Sequence, residues 1–112
     1  VRVTTLTEIL RELEIEHVAL LKIDVEGFEE AILDGLVGEF PRVAAIYLEV
    51  IDANLRRYGS SAAGVVGALQ ANGFTSFRSA VDPTNIVALP NDRQPGMLGD
   101  DWTPVPGSIP FP

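Results

Sequence analysis

Four acidic residues stand where two apolar runs of this sequence end. Asp24 and Glu26 close residues 18–25 (VALLKIDV), and Glu49 and Asp52 close residues 43–51 (VAAIYLEVI). In an open parallel sheet, the carboxyl ends of neighbouring strands line the ligand crevice. A carboxylate placed there accepts hydrogen bonds and protons. Burying one on a strand is costly unless it is employed, which favours a working role for Asp24 and Glu49. Asp24 and Glu26 are two residues apart, so a continuous strand puts both on one face. Glu26 has an equal alternative, which is to cap the next helix at its positive end. Lys22 precedes Asp24 by two residues and reads as its ion-pair partner within the sheet. The alternative for Lys22 is steering an anionic substrate. Arg56, Arg57 and Tyr58 fall in the polar segment after the second run, as ligand contacts or as a solvated cluster. His17 has no partner in sequence and reads as a surface residue.

The elements that must position these side chains follow from periodicity. Thr5 and Glu8 match an S/T-x-x-E capping box, and Leu6, Ile9, Leu10 and Leu13 follow at helical spacing. A helix is expected over residues 5–16, with Glu8, Glu12 and Glu16 on its solvated side. The two apolar runs read as buried strands, flanked by helices and therefore parallel. The helix between them is expected over residues 28–36, aligned through Phe28, Ile32 and Leu36. Gly35, Gly38 and Pro41 end it. Residues 52–59 read as a loop and 60–71 as a third helix stopped by Gly73. Residues 74–79 and 85–89 read as an antiparallel hairpin around the turn signal Asp82-Pro83. Residues 90–112 hold six of the eight prolines and read as an extended tail, packed through Trp102 and Phe111.

Composition narrows the partners. The formal net charge of −8 argues against nucleic acid and against an anionic membrane surface. There is no cysteine, which removes disulfides, thiolate metal sites and cysteine nucleophiles. No apolar run is long enough to span a bilayer. A cytoplasmic protein is the expectation. Val1 opens the sequence in place of Met, as in a segment of a longer chain.

Residues 20–36, LLKIDVEGFEEAILDGL, resemble the central motif of the FkbM-type methyltransferases. That family is a branch of the S-adenosylmethionine-dependent enzymes with a Rossmann-like fold. Thr5-Leu6, Lys22 to Glu29, Leu33 to Gly35 and Leu48-Glu49 match the family pattern in order and spacing. The resemblance extends over residues 5–89, with the hairpin similar to the family's closing strands. It implies an α/β fold, a Rossmann-like doubly wound and mostly parallel sheet, of which this chain holds the second half. It also implies methylation of a hydroxyl, as on a sugar or small metabolite. Asp24 and Glu26 would then lie beside the transfer centre as general base or hydroxyl clamp, with Glu49, Asp52 and Arg56 on the acceptor. Asp24, Glu26 and Glu49 offer the hard oxygen ligands that magnesium takes, but such motifs overcall sites and no metal is expected.

The family's N-terminal half carries a D-x-G-A-N-x-G loop and an acid for the cofactor ribose, and neither has a match here. Gly64 and Gly67 are too weak a motif to replace that loop. S-adenosylmethionine is thus the implied cofactor, while the chain alone is expected to bind it poorly and to be inactive. The expected organisation is a half-domain over 1–89 with a tail over 90–112. Its first apolar strand would expose an edge that recruits a second copy or the absent half, unless the tail folds over the gap. Two other readings stay open. One is a non-catalytic half-domain acting through another chain. The other is a fragment of a metal-dependent α/β barrel of the EAL phosphodiesterase type, where a strand reading L-K-I-D also occurs.

Overall fold

A computed structural model describes residues 5–105 apart from 28, 37 and 94. Helix α1 (Leu6–Glu12) opens at Thr5, whose hydroxyl oxygen accepts the Glu8 N–H at 3.1 Å. That bond satisfies one of the donors a helix start leaves unpaired. The helix ends earlier than the expected Glu16. Glu14 takes a left-handed φ of 55°, and the Ile15 N–H turns back to the Leu10 carbonyl. Leu13 consequently leaves the apolar face and is exposed, while Leu10 is buried.

Strands β1 (Leu21–Ile23) and β2 (Ile46–Glu49) are parallel neighbours, with Leu21 level with Ile46 and Ile23 level with Leu48. Both are shorter than the apolar runs that contain them. A lone bridge between Val18 and Val43 precedes them, and the exposed Leu20 separates it from β1. Helix α2 (Glu29–Asp34) connects the two strands. Phe28, expected to start it, lies outside the described residues. Helix α3 (Asp52–Arg56) follows β2 where a loop was expected. Its single buried side chain, Leu55, is fully enclosed by the core, so packing sustains a helix too short to persist alone. Helix α4 (Ala62–Ala71) is capped by Ser61, which accepts the Gly64 N–H at 3.0 Å.

Strands β3 (Phe74–Ser79) and β4 (Asn85–Pro90) form the expected hairpin. In its turn, Asp82 accepts the N–H and hydroxyl of Thr84, and Ser79 accepts the N–H groups of Val81 and Asp82. Strand β5 (Trp102–Pro104) adds to β3 antiparallel. The sheet order is β1-β2-β4-β3-β5. A mostly parallel sheet is therefore not what forms, because only β1–β2 is parallel and the other pairings are antiparallel. The link from β3 to β4 is too short for a crossover. It returns β4 into the slot between β2 and β3. The sheet runs past residue 89, through Pro90 in β4 and Trp102–Pro104 in β5, with a 3-10 turn at Pro95–Leu98 between them. Strand β5 covers the β3 edge and not the β1 edge. Phe111 lies outside the described residues.

All four helices contribute to one apolar cluster on one face of the sheet, through Leu10, Leu33, Leu55 and Val66. The other face carries a smaller cluster of Phe77, Val87 and Leu89, with Tyr47, Leu98 and Trp102 packed on it. Ser76 is fully buried in β3, and its hydroxyl has no hydrogen-bond partner among the described residues. Ser76→Ala should raise stability by about 1 kcal/mol in urea unfolding, since it removes an unpaired polar group. A loss of stability on that substitution would mean that the hydroxyl is satisfied.

Candidate active site at the carboxyl ends of the parallel strands

The register sets the geometry of the acids. Ile23 is level with Leu48, and the next residue on each chain, Asp24 and Glu49, stands at the carboxyl end of its strand. Ile46 and Leu48 point into the helical layer, which leaves Tyr47 and Glu49 on the opposite face. Asp24, Glu26 and Glu49 are all exposed. Glu26 departs from the strand pattern. β1 ends at Ile23, and Glu26 has a left-handed φ of 49°, so Asp24 and Glu26 do not share a strand face. Among the described residues, no group of three or more His, Cys, Asp or Glu side chains is placed to hold a metal ion. Lys22 is exposed and forms no ion pair with Asp24 among the described residues, contrary to the sequence reading.

Gly27 follows Glu26 with φ of 115°, and its N–H donates to Glu29 Oε2 at 2.8 Å. Glu29 is 2% exposed, a buried carboxylate that the sequence reading passed over. The signal was present, since an acid two residues past a glycine at a helix start can receive a free backbone N–H. Gly27 also packs on α3, where a Cβ at this position would stand 2.3 Å from the Asn54 carbonyl oxygen. The next acid, Glu30, accepts the hydroxyl of Ser60, and its carboxylate closes on Gly64 of α4. A cleft of about 230 Å³ lies here, lined by Gly27, Glu30, Asp34, Tyr58 and Ser60.

Asp52 and Arg56 stand apart from the other candidates. Asp52 Oδ2 accepts from Arg56 one helical turn on, and Oδ1 accepts the Ala62 N–H at 2.9 Å. Asp52 thus ties α3 to the start of α4, and both of its oxygens have partners within the chain. The Ala62 N–H, and after it the Arg56 guanidinium, hold its carboxyl below the ordinary value of 3.8. A carboxyl depressed by folding stabilises the fold fully above that ordinary value. The contribution is lost as pH falls through the lower, folded-state value. Asp52→Asn should therefore lower the melting temperature at neutral pH and flatten the acid limb of a melting series run from pH 7 to pH 2. An unchanged acid limb would show that the contact contributes nothing.

A second cavity, about 530 Å³, opens at the other end of the sheet, between Val43, Phe40, Phe74 and Arg93. His17 and Asp92 line it, and Asp24, Glu26, Glu49 and Asp52 do not. The carboxyl-end position, not cavity size, is what marks the acids as a site. No described helix is long and apolar enough to cross a membrane.

An α/β sheet with paired acids at the ends of adjacent parallel strands has the layout of an open-sheet enzyme. The family profile of the methyltransferase FkbM domain matches residues 1–76, and the chain belongs to that family. The family depends on S-adenosylmethionine. The match ends within β3, so β4 and β5 lie beyond it. No curated protein and no solved structure matches the chain.

Two glycines near the crevice, Gly27 and Gly64, do not fit that cofactor. A cofactor cradle needs glycines whose missing Cβ leaves room for the ligand. Here the space over Gly27 is filled by Asn54, and that over Gly64 by the Glu30 carboxylate.

Proposed function

We propose that this chain supplies the acceptor side of an S-adenosylmethionine-dependent O-methyltransferase domain, with the cofactor held by residues outside it. The observation that carries this reading is that Asp24 and Glu49 directly follow the paired residues Ile23 and Leu48 at the carboxyl ends of β1 and β2, in a chain of this family. Asp24 accepts the proton of the acceptor hydroxyl, and Glu49 beside it receives a hydrogen bond from the same molecule. Glu26, exposed at the turn, faces the acceptor as a third carboxylate. The acceptor is a small hydroxyl compound such as a sugar.

The winding of the chain supports a half of a doubly wound sheet. Right-handed crossovers that advance in one direction along a sheet put their helices on one face. Among the described residues the four α-helices lie on one face, and β1 has β2 as its sole strand neighbour. Strands laid down in the other direction from β1 would bring helices to the second face. The partner proposed for the β1 edge is therefore a cofactor-binding half, in preference to a second copy of this chain.

Asp24→Asn, in this chain completed by a cofactor-binding half, should lower turnover by roughly a hundredfold. Asp52→Asn should act through stability, because Asp52 serves the α3–α4 junction. Initial rates of methyl transfer at a temperature where both variants are folded separate the two. Equal, small effects would make the strand-end acids structural and end this reading.

A further inference from the structure

We propose that Glu29 is a positioning residue, which fixes the turn that carries Glu26 into the crevice. The proposal rests on the reading of that crevice as the acceptor site. Two consecutive residues of the turn have positive φ, Glu26 at 49° and Gly27 at 115°. The first is unfavourable for a residue with a side chain, so something must hold it. Two contacts do. The Glu29 carboxylate, 2% exposed, receives the Gly27 N–H at 2.8 Å. From the other side, Asn54 of α3 closes on the Gly27 Cα.

A hydrogen bond to a buried carboxylate is among the stronger kinds, and its loss would leave the Gly27 N–H unpaired away from water. Released from Glu29, Glu26 relaxes towards the extended φ that its residue type prefers, and its carboxylate swings off the crevice. Glu29 itself is turned inward, so it acts on the acceptor through Glu26. Asn54 belongs to the segment that follows Glu49, so the same turn also links the ends of the two parallel strands.

Amide hydrogen exchange and backbone chemical shifts of the 112-residue chain test the contact. Glu29→Ala should lower protection of the Gly27 amide by at least about tenfold, while Ile46 and Leu48 in β2 keep theirs, and should move the Glu26 shifts towards extended values. Glu29→Gln, which retains a carbonyl acceptor, should restore most of both. If Glu29→Ala does not fold, Glu29→Met fills the same space without an acceptor and is held to the same result. Wild-type protection at Gly27 and unmoved Glu26 shifts in the folded variant would overturn the proposal, whatever the chain's activity. Where methyl transfer is measured, Glu29→Ala should cut kcat about tenfold or more with KM for the acceptor little changed, and Glu29→Gln should recover it. A rise in KM alone would overturn the positioning role. If the wild-type chain, completed by a cofactor-binding half, transfers no methyl group, the proposed function fails while the exchange result still judges the turn.

Discussion

Gly27→Ala should destabilise this chain by about 3 kcal/mol or more, the largest effect expected of any single methyl group added to it. Two independent terms add. The backbone at Gly27 holds φ of 115°, a conformation that side chains rarely tolerate. Strain of that kind costs about 1–3 kcal/mol. The new Cβ would also stand 2.3 Å from the carbonyl oxygen and 2.7 Å from the carbonyl carbon of Asn54. Those are backbone atoms and cannot rotate aside, so α3 must shift off the turn. Overpacking of that kind costs about another 1–3 kcal/mol. The effect should reach the site as well, because the shift moves the turn that bears Glu26 against the segment after Glu49. Gly67→Ala is the matched control. Gly67 lies exposed in α4 with no heavy atom within 4 Å of its Cβ position, and alanine there should gain up to about 1 kcal/mol of helix stability. Urea unfolding of both variants gives the comparison. A Gly27→Ala chain as stable as the wild type would show that the turn and α3 are not packed as described.

How far this fold can be read from its residues differs by element, for identifiable reasons. The parallel β1–β2 pair was legible because its buried face repeats through Leu21, Ile23, Ile46 and Leu48 while the runs are too short and too β-branched for helices. The hairpin was legible from Asp82-Pro83, since its turn bonds are local to residues 79–85. Strand ends were not. An apolar run records what can be buried, and pairing stops where the chain turns, so residues 24–25 read as strand and are not. Helix α3 gave no period because Leu55 is its only buried residue. Besides the packing of Leu55, it is held by a contact ten residues away, from the Ala62 N–H to Asp52, that no local pattern records.

The site divides in the same way. Asp24 and Glu49 were visible as charges interrupting apolar strands, and they directly follow the paired residues Ile23 and Leu48. Asp52 and Arg56 read as acceptor contacts from their place after β2, and they are bonded to each other, with Asp52 also bonded to the start of α4. Glu29 is marked by its place two residues after Gly27, but only as a residue able to receive a backbone N–H. Its burial depends on packing that the motif alone does not state. Helices on both faces were expected because apolar runs look alike whether one or both faces are covered. The wetter face of β1 is marked by Lys22 alone.

The central claim is that this chain carries the acceptor side of a methyltransferase domain and not its cofactor cradle. Glycine spacing supports the second part, since Gly27 and Gly64 are both closed off by protein atoms. Asp24 and Glu49 stand at the strand ends, and the sequence holds no match to the D-x-G-A-N-x-G loop. Calorimetric titration of S-adenosylmethionine into the 112-residue chain tests this most directly. The account predicts a dissociation constant weaker than about 1 mM, or no measurable heat. A dissociation constant near 1 μM, about 4 kcal/mol tighter, would contradict it, because the chain would then hold the cofactor with its own residues.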